Sequence, residues 1–214
     1  MKALDKSWAR VAACTLVAAT LVLGGCKADS LTIKISADNI SAARQGDEPR
    51  VNFIAEFKSY GSLDDKKRAE LELVEGIVDK YLDIDDIDIT KNGGQTILAI
   101  EGTIPVSSSA QVEEPWFIKV SEWDDQFDRV ELATGSDYRK MATEILAISW
   151  AFEPEQYHEV KMRLKAKDKR VIAPLAQVDT ETHLFYDATV TRSVSLNFVG
   201  DPFTETGAGF LISK

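Results

Sequence analysis

Residues 87–106 read IDITKNGGQTILAIEGTIPV. Ile87 and Ile89 alternate with polar neighbours, Lys91-Asn92-Gly93-Gly94 breaks the run, and Leu98, Ile100, Ile104 and Val106 resume it at even spacing. Apolar residues at every second position mark a strand with one face buried. An Asn-Gly pair between two such runs is the strongest short-range hairpin signal, because the tightest hairpin turns need positive φ at both central positions. The stretch therefore predicts two antiparallel strands joined by a turn at Asn92-Gly93.

Upstream, Leu73, Val74, Ile77, Val78, Tyr81 and Leu82 recur at helical spacing and predict a helix over 63–82. Its buried face is expected to carry Leu73, Ile77 and Val78, with Ser62 and Asp65 forming a capping box at its start. Earlier still, Leu31, Ile33 and Ile35 alternate over 31–36, as do Val51, Phe53, Ala55 and Phe57 over 51–58. These two strands are expected to pair across a polar loop, 38–50, which contains Gly46 and Pro49.

Downstream, SSSAQVEEP at 107–115 is the one composition shift that could be a linker. Strands are then predicted at 116–123 and 130–133. A helix follows, capped by Ser136, carrying Tyr138, Met141, Ala142, Ile145, Leu146 and Phe152 and stopping at Pro154. Further strands are predicted at 160–164, 171–178, 184–198 and 210–212. The expected fold class is α+β, a mainly antiparallel sheet built from hairpins with two amphipathic helices packed on it. An eight-stranded outer-membrane barrel is set aside, because helices and charges scattered along the strands do not suit one.

The chain begins with a different kind of signal. Lys2, Lys6 and Arg10 precede an apolar run over 11–23, too short for the roughly 20 residues that span a bilayer as a helix. The run ends in Leu23-Gly24-Gly25-Cys26, which resembles the lipobox of bacterial lipoproteins. That resemblance implies that 1–25 is a signal peptide to be removed and that the Cys26 thiol carries lipid. The mature protein would then be held in the cell envelope by two or three acyl chains, enough for stable attachment at roughly 0.8 kcal/mol per buried methylene. Lys27 stands where Asp would imply inner-membrane retention, so the outer membrane is expected. The implied organisation is 1–25 signal peptide, 26–30 lipidated tether, 31–106 first α+β half, 107–115 possible linker and 116–214 second α+β half, the two halves forming one compact unit.

Composition agrees with an envelope protein that binds through its surface. Cys14 and Cys26 are the only cysteines, so the mature domain would have no disulfide. Removing 1–25 takes three basic and one acidic residue from a chain of net charge −10 and leaves −12 on 189 residues. Such a chain repels nucleic-acid phosphates and anionic membrane surfaces at long range, so neither is expected as a partner of the whole domain. No cofactor is expected either, since no glycine-rich phosphate loop or dinucleotide fingerprint occurs.

Candidate sites are few. Asp83, Asp85, Asp86 and Asp88 are dense enough to suggest calcium, but Ile87 and Asp88 occupy the positions where an EF-hand loop needs an oxygen ligand and glycine. They read better as the water-facing side of a strand whose isoleucines point inward. His158 and His183 lack partners at metal-ligand spacing, and no Gly-x-Ser-x-Gly elbow accompanies them, so no catalytic site is expected. Trp116, Trp123, Trp150 and Phe152 read as core. Lys161, Arg163, Lys165, Lys167, Lys169 and Arg170 concentrate six cations within ten residues of an acidic protein. They form either a patch for an anionic partner, an envelope protein or an anionic glycolipid, or a guard of lysines on an exposed edge strand whose charge the domain's own acidic residues neutralise. The expected function is a lipid-anchored, non-catalytic binding or structural protein of the envelope. A carrier of an apolar or lipid-like ligand and an envelope hydrolase are the alternatives.

Overall fold

The hairpin at the centre of the first half forms, with its turn one residue later than expected. In the computed structural model, which describes residues 28–60, 63–92, 94–148, 159–178, 181–198 and 208–214, β3 (Asp83–Asn92) pairs antiparallel with β4 (Gln95–Ser107). Because Asn92 is the partner of Gln95, Gly93-Gly94 is the two-residue connection. Gly94 adopts φ +85°, a conformation glycine takes without cost. Gly93 itself lies outside the described residues.

β4 is the organising strand. Along one edge it pairs with β2 (Arg50–Tyr60) from Gln95 to Pro105. Its other edge is shared by β3 and then, at Val106 and Ser107, by β5 (Trp116–Glu122), which runs parallel to it. The predicted pairing of the first two strands also holds, between β1 (Ala28–Ser36) and β2. The remaining strands are β6 (Phe127–Thr134), β7 (Glu159–Lys165), β8 (Lys169–Val178), β9 (Glu181–Val190), β10 (Ser193–Phe198) and β11 (Gly209–Ser213). The expected strand over 184–198 is thus two strands, broken at 191–192.

All eleven belong to one sheet, in the order β10-β7-β1-β2-β4-β5-β6-β11-β8-β9, with β3 on β4. Two pairings, β1 with β7 and β4 with β5, are parallel, so the sheet is mixed and the expectation of a mainly antiparallel one is corrected to that extent. Those parallel pairs join strands distant in sequence, which hairpin signals do not register. The order also turns back on itself. Ile172 pairs with both Asp187 of β9 and Leu211 of β11, and Gln177 with both Thr182 of β9 and Asn197 of β10. Hence β11 and β10 follow one another along a single edge of β8, and β9 occupies the other.

The inner face of this curled sheet is apolar. Leu31, Ile33, Phe53, Phe57, Leu98, Ile100, Met162, Leu164 and Phe210 are all buried. Outward positions on the same strands carry Lys34, Asn52, Glu101 and Arg163, all exposed. Ile84, Ile87 and Ile89 of β3 are half-buried while Asp83, Asp85, Asp86 and Asp88 face water, as the strand reading required.

Among the described residues three helices accompany the sheet, one more than expected. The additional one, α1 (Ala37–Arg44), occupies the segment read as a loop. Its capping box is local: the Ser36 hydroxyl accepts from the Asn39 N–H at 3.2 Å and the Asn39 carboxamide oxygen accepts from the Ser36 N–H at 3.0 Å. With only Ile40 and Ala43 buried, eight residues are too few to show a helical period. Arg44 ties α1 to β6 through the buried Asp128 at 3.2 Å.

The expected helix over 63–82 is α2 (Asp65–Tyr81), capped by Asp64, whose carboxylate accepts from the Lys67 N–H at 2.8 Å. Ser62 lies outside the described residues. The buried stripe is Leu71, Val74 and Val78, with Ile77 half-buried beside it, and Leu73 is 56% exposed. At 100° per residue Leu73 points about 200° away from Leu71, so of the expected face Val78 and, in part, Ile77 are buried while Leu73 is not.

α3 (Tyr138–Ile148) buries Met141 and Ile145. Its first helical residue follows Asp137, not Ser136, and Phe152 and Pro154 lie outside the described residues. The N–H groups of Gly135, Ser136 and Asp137 donate to the carbonyls of Pro115, Val112 and Glu113 at 3.1, 3.1 and 2.9 Å, so the stretch before β5 is fastened to the start of α3. Arg50 grips Glu114 of the same stretch with both terminal nitrogens, at 2.7 and 2.9 Å.

α2 and α3 meet at Glu144, whose carboxylate accepts from Lys80 Nζ at 2.7 Å and from the Tyr81 hydroxyl at 2.6 Å. These donors, Lys80 first, hold the Glu144 carboxyl below the usual carboxylate range. A depressed folded-state pKa contributes stability above the unfolded value, near 4.3, and the contribution is lost as pH falls through the folded one. Glu144→Gln is therefore expected to destabilise the protein slightly at neutral pH and not at all in strong acid. Parallel urea melts across that range check it; a gap that persists or grows in acid contradicts it.

Candidate functional site

β7 projects the central cations of the basic run outward. Lys161, Arg163 and Lys165 alternate with the buried Val160, Met162 and Leu164 and therefore share the outer face. The strand is not an edge. It lies between β1, which pairs with it from Ser30–Glu159 to Ser36–Lys165, and β10, which pairs from Phe198–Val160 to Ser193–Lys165. The edge-guard reading of these lysines is corrected accordingly, since a strand with both neighbours in place has no free ladder to protect.

The pairing adds a residue that the sequence alone did not single out. Lys34 of β1 stands opposite Arg163, and on the other side Arg163 faces Ser195 of β10. Lys161 lies between Thr32 and Asn197, and Lys165 between Ser36 and Ser193. Successive cations on β7 are about 6.6 Å apart along the strand, and Lys34 is about 4.8 Å away across it. Among the described residues none of Lys34, Lys161, Arg163 and Lys165 makes an ion pair, whereas Arg50, Lys80, Lys119, Arg129, Arg170 and Lys214 all do. Like charges directly opposite each other, as at Lys34 and Arg163, cost a few tenths of a kcal/mol or more.

Two polar atoms border this strip without a hydrogen-bond partner, Ser195 Oγ and Asn197 Oδ1, both shielded from water. Such atoms normally find partners, and leaving them unmet costs about 1–3 kcal/mol each. The strip therefore combines uncompensated cations with unmet polar groups on the neighbouring strand.

The other members of the run separate from it. Lys167 is exposed in the turn after β7, where Asp168 adopts φ +54°, and Lys169 opens β8. Arg170 is already occupied: its guanidinium donates to Asp187 at 2.8 and 2.6 Å and lies 5.8 Å from the ring centre of Phe127. That pair raises the Arg170 pKa and lowers the Asp187 pKa.

Elsewhere the chemistry is sparse. Glu72, Glu75 and Asp79 of α2 and Asp85 and Asp86 of β3 line an open groove of 620 Å³, but no group of three potential metal ligands converges among the described residues. His183 sits on β9 with its ring edge-on to Tyr186 at 5.5 Å. Trp116 is buried, edge-on to Phe53 at 6.1 Å, while Trp123 is 57% exposed and so departs from the core reading. Cys26, Trp150, Phe152 and His158 lie outside the described residues. Among the described residues no helix is long and apolar enough to cross a membrane. No protein-family model matches the chain, and no curated protein matches its sequence.

Proposed function

We propose that this is a lipid-anchored, non-catalytic binding protein of the bacterial envelope, which uses the strip of Lys34, Lys161, Arg163 and Lys165 to hold a phosphate-bearing anionic lipid or glycolipid. The observation that carries the reading is the uncompensated strip on an interior strand of an otherwise acidic protein. A phosphate offers several strong acceptor oxygens, for which Arg163 supplies a planar fork and the lysines supply point charges. It would also relieve the repulsion between Lys34 and Arg163. The net charge of the whole chain repels anionic surfaces at long range, but at physiological salt that field fades within about 8 Å, and at contact the strip decides.

Co-sedimentation of the unlipidated Cys26→Ser protein with vesicles containing lipopolysaccharide, at low and moderate salt, tests the binding. Replacing Lys161, Arg163 and Lys165 together by Gln is expected to weaken the interaction roughly tenfold or more and to flatten its salt dependence, with little change in thermal stability. Equal binding by both proteins would refute the strip. The anchor has its own test. Metabolic labelling with a radioactive fatty acid is expected to mark the native chain and not Cys26→Ala, and label retained by the variant would count against lipidation at Cys26.

A further inference from the structure

What flanks the basic strip narrows its ligand. The outward positions beside the β7 cations are Thr32 and Ser36 on β1 and Ser193, Ser195 and Asn197 on β10, all hydroxyl or carboxamide groups. No apolar side chain faces outward from Ser30 to Ser36, Glu159 to Lys165 or Ser193 to Asn197. The face therefore suits a polar head group and offers nothing to an acyl chain.

The two unmet atoms make the demand more specific. Ser195 Oγ and Asn197 Oδ1 belong to residues opposite Arg163 and Lys161, at a Cα separation of about 4.5–5.5 Å. Both residues are half-buried, so a change of side-chain rotamer brings either atom to the surface. A serine hydroxyl donates or accepts, but a carboxamide oxygen only accepts. A phosphate ester at neutral pH is chiefly an acceptor as well, so it can meet the cations and Ser195 but not Asn197 Oδ1. That atom needs a donor beside the phosphate. Ser195 and Asn197 are two residues apart on β10, about 7 Å along the strand. Hydroxyls on adjacent carbons lie too close together to meet both, whereas those on opposite sides of a six-membered ring span the gap.

We infer, taking the strip as the anionic-lipid site, that its ligand is a phosphorylated sugar. Arg163 and the lysines hold the phosphate, one ring hydroxyl donates to Asn197 Oδ1, and a second pairs with Ser195 Oγ. The cations supply most of the affinity, and the neutral residues of β10 choose among anionic lipids, because a ligand without the hydroxyls leaves them unmet.

Binding of the unlipidated Cys26→Ser protein is compared on vesicles containing lipopolysaccharide, phosphatidic acid or phosphatidylglycerol at equal phosphate content. These offer a phosphorylated sugar, a phosphate without a hydroxyl, and a phosphate bearing a glycerol. Lipopolysaccharide is expected to bind at least about tenfold more tightly than either phospholipid. Ser195→Ala combined with Asn197→Leu is expected to abolish that preference, to leave the weaker binding to phosphatidic acid unchanged, and to melt no lower than the native chain. Replacing Lys161, Arg163 and Lys165 together by Gln is expected to weaken binding to all three. Equal native binding to lipopolysaccharide and phosphatidic acid overturns the sugar and leaves the strip as a general anion site, as does a preference that survives the double variant. Phosphatidylglycerol binding as tightly as lipopolysaccharide overturns the ring. Binding to none of the three, or binding untouched by the triple variant, refutes the strip itself and this ligand with it.

Discussion

Gly102→Ala is expected to be among the most damaging single substitutions in this protein, at about 3 kcal/mol or more. Gly102 lies on β4 where β3 begins, opposite Phe53 and Ile84. A Cβ there would run into the backbone carbonyl of Asp83 and come within 3.1 Å of both the Ile84 Cα and the Phe53 ring. Two of these three obstacles are backbone and cannot rotate aside, so β3 must lift from β4 or the Phe53 ring must leave its place. Gly76→Ala is the control. It sits in α2 with nothing within 4 Å of the added methyl, and alanine there is expected to gain about 0.5–1 kcal/mol through helix propensity. Urea melts of the two variants should therefore move in opposite directions. If Gly102→Ala melts like the native chain, β3 does not cross at this point.

Phe53→Ala is expected to cost about 3–5 kcal/mol, because the ring is 1% exposed and its removal leaves a cavity that the surrounding strands cannot close. Phe53 also meets Trp116 edge-on at 6.1 Å, which links β2 to β5 across the interior, so part of the loss belongs to the aromatic pair. Leu73→Ala, on the exposed side of α2, should lie within about 0.5 kcal/mol of the native chain. Comparable losses at the two positions would mean that the buried face of α2 has been misassigned.

How far the fold was legible in the sequence depended on the range of the signal. Alternation revealed strands at β1, β2, β4, β7 and β8 because burial on one face acts residue by residue. The Asn92-Gly93 pair located the β3–β4 hairpin to within one residue, since glycine tolerance is equally local. α1 was missed, although Ser36 and Asn39 stood at capping spacing, because its two buried residues give no period. On α2 Val78 was read correctly and Leu73 was not, for a different reason: Leu73 and Leu71 are equally apolar, and only the docked sheet decides between them. Long-range pairing left no local trace at all. Nothing in the residues themselves joins β1 to β7, yet that parallel register brings Lys34 to Arg163 and removes β7 from the edge of the sheet. The candidate site was therefore half legible, with its β7 cations visible as a run and its β1 and β10 members visible only in the fold.

This division supplies the most direct test of the proposed function. The proposed site is the strip across β1 and β7, not the run of cations along the chain, and the two groupings differ in Lys34, Lys167, Lys169 and Arg170, the last of which is already paired with Asp187. Binding of the unlipidated protein to lipopolysaccharide vesicles should be compared, over a series of salt concentrations, for Lys34→Gln combined with Arg163→Gln and for Lys167→Gln combined with Lys169→Gln. Each pair removes two positive charges, so any difference between them reports position and not net charge. A loss of roughly tenfold and a flatter salt dependence are expected for the first pair, with near-native binding for the second. Equal losses, or a larger loss for the second pair, would contradict that expectation.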